Sequence, residues 1–126
     1  MNYDQARDYL LSRPEAWEDY PFGPGAAVFK IRDKLFAILM RDQGLARVNL
    51  KCDPVEAQML RDVFDAVRPG YHMNKRHWNT VSLDGSLPRG ELERMMDRSY
   101  ALVVRGLRAS ERRALELAWG PEVLYR

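Results

Sequence analysis

Residues 27–51 read AVFKIRDKLFAILMRDQGLARVNLK, and the fold turns on this stretch. From Ala27 to Arg32 the residues alternate, with Ala27, Phe29 and Ile31 on one face and Val28, Lys30 and Arg32 on the other. Side chains of a strand point to opposite faces in turn, so this is a half-buried strand. Arg32-Asp33-Lys34 is a short turn. Leu35–Met40 is apolar on both faces, as a central strand is. Asp42-Gln43-Gly44 turns the chain again, with Gly44 free to take a positive φ. Leu45–Lys51 returns to alternation, Ala46, Val48 and Leu50 inward and Arg47, Asn49 and Lys51 outward. Connections this short make neighbours antiparallel, which predicts a meander with one apolar and one basic face.

Upstream, Asn2 caps a helix running to about Ser12, with Tyr3, Ala6, Tyr9 and Leu10 as its buried stripe; Arg13-Pro14 ends it. Residues 15–26 form a loop, with a short strand near Trp17–Tyr20. Downstream, Asp53-Pro54-Val55-Glu56 joins a cap, a first-turn proline and a capping-box glutamate. That helix is expected to reach about Val67 and to bury Val55, Met59, Leu60, Val63 and Val67. Pro69-Gly70 stops it, and residues 71–83 supply a fourth strand, surest from Trp78 to Leu83. A long helix follows from about Pro88 to Leu107, packed through Leu92, Met95, Met96, Ser99, Tyr100, Val103, Val104 and Leu107. Ser110 caps a last helix through Trp119, before Gly120-Pro121. The fold class expected is α+β: a single antiparallel sheet of four to six strands with helices mainly on one face, a two-layer sandwich.

With 126 residues the chain is one domain. Its longest apolar run, Leu35–Met40, is far short of the roughly 20 residues of a membrane helix. The amino terminus, MNYDQARDYLLSRP, carries acids and no apolar core, unlike a signal peptide. Cys52 is the only cysteine, so no internal disulfide forms and a reducing, cytoplasmic location is expected. The net charge of +2 is unevenly spread: −3 over residues 1–29, +4 over 30–52, −3 over 53–67, +3 over 68–83 and +1 over 84–126. The positive segments are the strand segments. With the helices on the apolar face, the basic face is left open.

Most catalytic chemistry lacks its residues. His72 and His77, five apart, match neither helical nor strand ligand spacing, and Cys52 is remote from both, so no metal site is expected. Gly23-Pro24-Gly25 lacks the lysine and helix of a phosphate loop. Cys52 stands between a basic strand end and a helix start, a context that lowers a thiol pKa, but it reads first as a small, partly buried residue. No catalytic residue and no cofactor is assigned.

The stretch Gly70-Tyr71-His72-Met73-Asn74-Lys75-Arg76-His77-Trp78-Asn79 combines aromatics, imidazoles and cations without an acid. Nucleic-acid binders use this mixture, cations for phosphates and planar groups for stacking. Continued through Thr80-Val81, it resembles a motif of the MmcQ/YjbR family. Two further stretches agree in order and spacing. One is Pro21-Phe22-Gly23-Pro24 leading into Val28-Phe29-Lys30-Ile31 and Lys34-Leu35-Phe36-Ala37. The other is Asp97-Arg98-Ser99-Tyr100-Ala101-Leu102-Val103-Val104. The resemblance covers residues 1–107, a family-like domain, and leaves 108–126 as a helical extension. It implies a fold similar to a "double-wing" DNA-binding domain, and a DNA-binding role. A likeness to iron chaperones of the frataxin type is set aside, since the first helix offers only Asp4 and Asp8, with Arg7 between.

The function expected is therefore a non-enzymatic module binding duplex DNA weakly and salt-dependently. Lys30, Arg32, Lys34, Arg47, Lys51, Lys75 and Arg76 would meet phosphates, and Asn49, Asn74 and His77 base edges. The alternative is a protein- or small-ligand-binding module with a pocket of Trp17, Tyr20, Phe22, Tyr71 and Trp78. An enzyme using His72 or His77 as general base is the third reading. No membrane partner is expected.

Overall fold

A computed structural model describes residues 1–126, Asp42 by its backbone alone. The elements run α1 (Tyr3–Leu11), β1 (Trp17–Asp19), β2 (Ala26–Ile31), β3 (Lys34–Asp42), β4 (Leu45–Lys51), α2 (Pro54–Val63), β5 (Val67–Pro69), β6 (Trp78–Ser82), α3 (Arg89–Arg105), α4 (Ala109–Trp119) and α5 (Pro121–Leu124). One six-stranded sheet has the order β1-β2-β3-β4-β6-β5, antiparallel throughout. The expected α+β class is the one observed, and Leu35–Met40 lies inside the sheet.

Local chemistry accounts for the starts and turns. The Asn2 side chain accepts from the Gln5 N–H (2.8 Å) while Gln5 Oε1 accepts from the Asn2 N–H (3.0 Å), a capping box. Gln43-Gly44, with φ of 52° and 83°, is the two-residue turn whose twist suits a hairpin. Across the sheet, Ala27, Leu39, Val48, Val81 and Val67 fall into one row. This is the covered face, where α1 and α3 pack and the core lies. A bulge leaves Phe36 without a partner on β2. Its carbonyl accepts from Ser99 Oγ (2.6 Å), which in turn accepts from the Lys51 N–H (2.8 Å). The buried Ser99 of α3 thus satisfies two sheet groups, and the Tyr100 ring meets Phe36 edge-on at 5.2 Å.

Three expectations are corrected. The second helix ends at Val63, not Val67: Phe64 is extended (φ −118°, ψ 119°), and Val67–Pro69 becomes an edge strand on β6. Val67 is buried by this pairing, and a proline is tolerated on an edge. Val55, Met59 and Val63 are exposed, because α2 turns Ala57 and Leu60 to the core instead. Gly120-Pro121 does not end the helical structure. Gly120, at φ 84°, redirects the chain into α5, which buries Leu124. The carboxyl-terminal helices are fastened by Arg13. This buried side chain lies over the Tyr100 ring (4.6 Å), donates to the Val123 carbonyl (2.8 Å) and pairs with Asp97 (3.4 Å). Among the described residues no helix is long and apolar enough to cross a membrane.

Candidate functional site

The strands turn the residues between the core positions to the other face of the sheet, which no helix covers among the described residues. Its centre is not basic. Ala26, Leu35, Ile38 and Met40 form an apolar floor, and Ile38 is buried although it points away from the core. Two loops rise beside this floor. Phe22 comes from the 20–25 loop, and Tyr71, His72 and Met73 from the 70–77 loop. Together they enclose a trough of about 340 Å³ with Asn49 at its base. Phe22 is 69% and Tyr71 57% exposed, large apolar surface held in water.

The 70–77 wall is built with care for its polar groups. The Tyr71 N–H donates to Thr80 Oγ1 (2.8 Å), the Thr80 hydroxyl donates to Asn49 Oδ1 (2.6 Å), and Asn49 Nδ2 donates back to the Tyr71 carbonyl (3.1 Å). This closed ring, with Asn49 and Thr80 buried, fixes both backbone groups of Tyr71. Gly70 is required where the loop folds onto β6: a Cβ there would lie 2.8 Å from that of Trp78. From α2, the Arg61 guanidinium donates to Asn79 Oδ1 (2.7 Å) and to the carbonyls of Trp78 and Lys75. Lys75 Nζ reaches the Gly70 carbonyl at 2.9 Å. Asn74 Oδ1 accepts from the Arg76 and His77 N–H groups (2.9 and 3.3 Å). His72 takes a left-handed conformation (φ 58°), its ring 3.9 Å from that of Tyr71.

The cations assigned from the sequence are dispersed. Lys30 pairs with Asp19 (2.8 Å) over the Trp17 ring, and Arg32 pairs with Glu15 (3.3 Å). Lys34 and Lys51 line a separate groove with Asp33. Arg47 and Lys75 share a groove of about 400 Å³ with Arg68, on the far side of Tyr71 from the trough. Arg76 is exposed. Asn49 is 2% exposed and spent on Tyr71, so it does not reach a base edge. Asn74 caps a turn. His77 closes the loop, its carbonyl accepting from the Cys52 N–H (2.7 Å). A continuous basic face is thereby corrected to an apolar centre with cations at its margins, because both faces of Leu35–Met40 are apolar.

The aromatic pocket is corrected as well. Phe22 and Tyr71 line the trough, whereas Trp17, Tyr20 and Trp78 do not. The Trp17 indole donates to the Arg32 carbonyl (2.9 Å) and the Tyr20 hydroxyl to Glu18 (3.0 Å). Trp78 opens β6 beside Gly70. Sequence reading missed Ile38, Met40 and Met73 as lining, and Arg61 and Thr80 as supports. The signal for the floor was present in the two-sided apolarity of Leu35–Met40.

Burial raises the Cys52 thiol to about 11, overriding the basic context expected to lower it. Among the described residues no three His, Cys, Asp or Glu side chains cluster to hold a metal ion.

The same fold occurs in solved structures. A crystal structure of a Deinococcus radiodurans protein with a DUF419 domain superposes with a TM-score of 0.82 at 35% identity, covering 90% of this chain and 87% of that one. A Pseudomonas syringae protein gives 0.72 at 32% identity, over 81% and 98%. In sequence, a protein of Escherichia coli K12 described as uncharacterized protein YjbR is 35% identical over 115 residues, 91% of this chain and 98% of its own. The YjbR family model matches residues 11–102, from the end of α1 into α3 and so across the whole sheet and both loops. The chain belongs to the YjbR family.

Proposed function

We propose that this protein is a non-enzymatic binding module whose ligand seats on the open face of the sheet, with an apolar or aromatic body in the trough. Tyr71 carries the reading. Its backbone is held at both polar groups by buried side chains while its ring stands in water between an apolar trough and a cationic groove. Ligand sites pair an apolar concavity with a few placed polar groups, and an exposed ring that is rigidly mounted loses little entropy on binding. Arg68 and Lys75, beyond Tyr71, favour an anionic group on the same ligand. A thiol held protonated at Cys52 speaks for binding rather than nucleophilic chemistry.

The test uses anilinonaphthalene sulfonate, an aromatic anion whose fluorescence rises in apolar surroundings. Phe22→Ala and Tyr71→Ala should each weaken its binding by about tenfold. Arg68→Ala should weaken it less and flatten its salt dependence. Binding indifferent to Phe22 and Tyr71 would overturn the reading.

Nucleic acid is the second reading, favoured by the groove of Arg47, Arg68 and Lys75, which has no acid among its described lining residues and an exposed ring at its wall. Three such cations on a single strand would give a slope of log K against log salt of about −2. Anisotropy of labelled single-stranded and duplex oligonucleotides measures it. No binding at low salt removes this reading and leaves the first standing.

A further inference from the structure

Helix α2 is apolar on two sides. Ala57 and Leu60 face the core, yet Val55, Met59 and Val63, four residues apart in turn, form a second stripe that is 71%, 60% and 71% exposed. Against α3 this stripe borders a groove of about 420 Å³, floored by Leu60 and Phe64. Three adjacent large apolar side chains left in water mark an interaction site rather than the scattered exposure that any surface shows. The groove lies in the helical layer and shares no lining residue with the trough on the open sheet face.

The charge around the stripe indicates what covers it. Segment 53–67 carries a net charge of −3. Asp53 stands at the amino end of α2, where its carboxylate accepts from the Val55 and Glu56 N–H groups. Asp62 flanks the stripe on the side away from α3 and accepts from Gln58 (2.9 Å). Asp65, exposed, follows the carboxyl end. On the α3 side the groove is lined by Arg94 and Arg98, which pair with Glu56 (2.8 and 3.3 Å), Arg94 also with Glu91 (3.0 Å), so that border is close to neutral. Arg61, the only cation of the segment, is turned away to the 70–77 loop. The border away from α3 is acidic, through Asp62 and, past the carboxyl end of α2, Asp65. The stripe with this acidic border complements an amphipathic helix with apolar residues at the same spacing and Lys or Arg along the border that meets Asp62 and Asp65, the helix-in-groove mode of recognition.

We infer that the α2–α3 groove is the docking site for a basic amphipathic helix of a partner protein. The probe is a synthetic Leu/Lys helix of about 14 residues, roughly four turns, with a Leu/Glu helix as control. The full chain, labelled at its Val, Leu and Met methyl groups, is titrated and followed by NMR. The expected result is saturable shifts of Val55, Met59 and Val63 with the Leu/Lys helix and none with the control. Met59→Ser with Val63→Ser should weaken binding by at least about tenfold. Both positions are exposed, so an unchanged melting temperature shows that the variant folds. Asp62→Asn with Asp65→Asn should weaken it further and reduce its dependence on salt. Three outcomes overturn the inference: shifts confined to another surface, equal binding of the Leu/Glu helix, or α2 methyl signals that move on dilution of the protein alone, which would make a second copy the occupant.

Discussion

The two faces of the sheet are made from the same strands, and both are apolar along β3, but they are completed differently. On the covered face α1 and α3 supply the missing surface, and the buried Ser99 hydroxyl is satisfied by Phe36 and Lys51. On the open face no helix arrives among the described residues. Two loops stand over the buried Ile38, and one of them, 70–77, is held by a ring of hydrogen bonds through Asn49, Thr80 and Tyr71. Apolar residues in a strand therefore do not by themselves specify what they are apolar for. A helix layer turns such a row into core, whereas fixed loops turn it into a concave surface that a ligand can complete.

Neighbouring residues on β3 give the sharpest way to break this comparison. Leu39 is fully buried on the covered face, and Met40 is half-buried in the trough floor. Leu39→Ala should cost about 2–5 kcal/mol, the range for a core cavity, while Met40→Ala should cost under about 1.5 kcal/mol because its site is already open. Urea denaturation of both variants measures the difference; equal losses would mean that the trough is core. A smaller effect is expected at Thr80. Thr80→Val keeps the shape but leaves the Tyr71 N–H and Asn49 Oδ1 without their partner, a loss of about 1–3 kcal/mol. Hydrogen exchange at the Tyr71 amide should accelerate by more than exchange at Val48, and uniform acceleration would deny the loop its separate support. The smallest effect concerns Cys52, beneath the covered face. Its thiol pKa is raised to about 11 by burial. A raised acid pKa means that the folded protein holds its proton longer than the unfolded chain. The stability this gives is present below the unfolded value and falls as pH rises from about 8.5 toward 11. At pH 7 iodoacetamide should label Cys52 at least about tenfold more slowly than it labels the urea-unfolded chain, and fast labelling of the folded protein would show an activated thiolate.

The helices teach a parallel lesson in what is legible. In α3 one apolar stripe exists, and Leu92, Met95, Met96, Tyr100, Val103 and Val104 are buried as their spacing requires. In α2 two stripes compete, Val55-Met59-Val63 and Ala57-Leu60-Phe64. The first is apolar at every position and suggests burial as strongly as the second, yet the second is the one that faces the core. Periodicity locates a helix but cannot choose between its two apolar sides. That choice depends on where the chain goes next, and Val67 entering the sheet beside Val81 pins the carboxyl end of α2 with Leu60 inward.

The sequence alone determined the meander, its antiparallel hand, the central place of Leu35–Met40, the caps at Asn2 and Asp53 and the packed side of α3. All of these are short-range, set by alternation, turn length and hydrogen bonds within a few residues. It also carried the family motif, whose glycine, asparagines and threonine build a loop. Only the tertiary structure decided which apolar surfaces remain open and which cations are already paired. Lys30 with Asp19 and Arg32 with Glu15 are joined across the β1–β2 edge, and Asn49 is consumed by a backbone 22 residues away. A side chain's availability depends on partners brought to it through space. Charge and hydropathy along the chain record which groups exist, and folding settles which of them face one another.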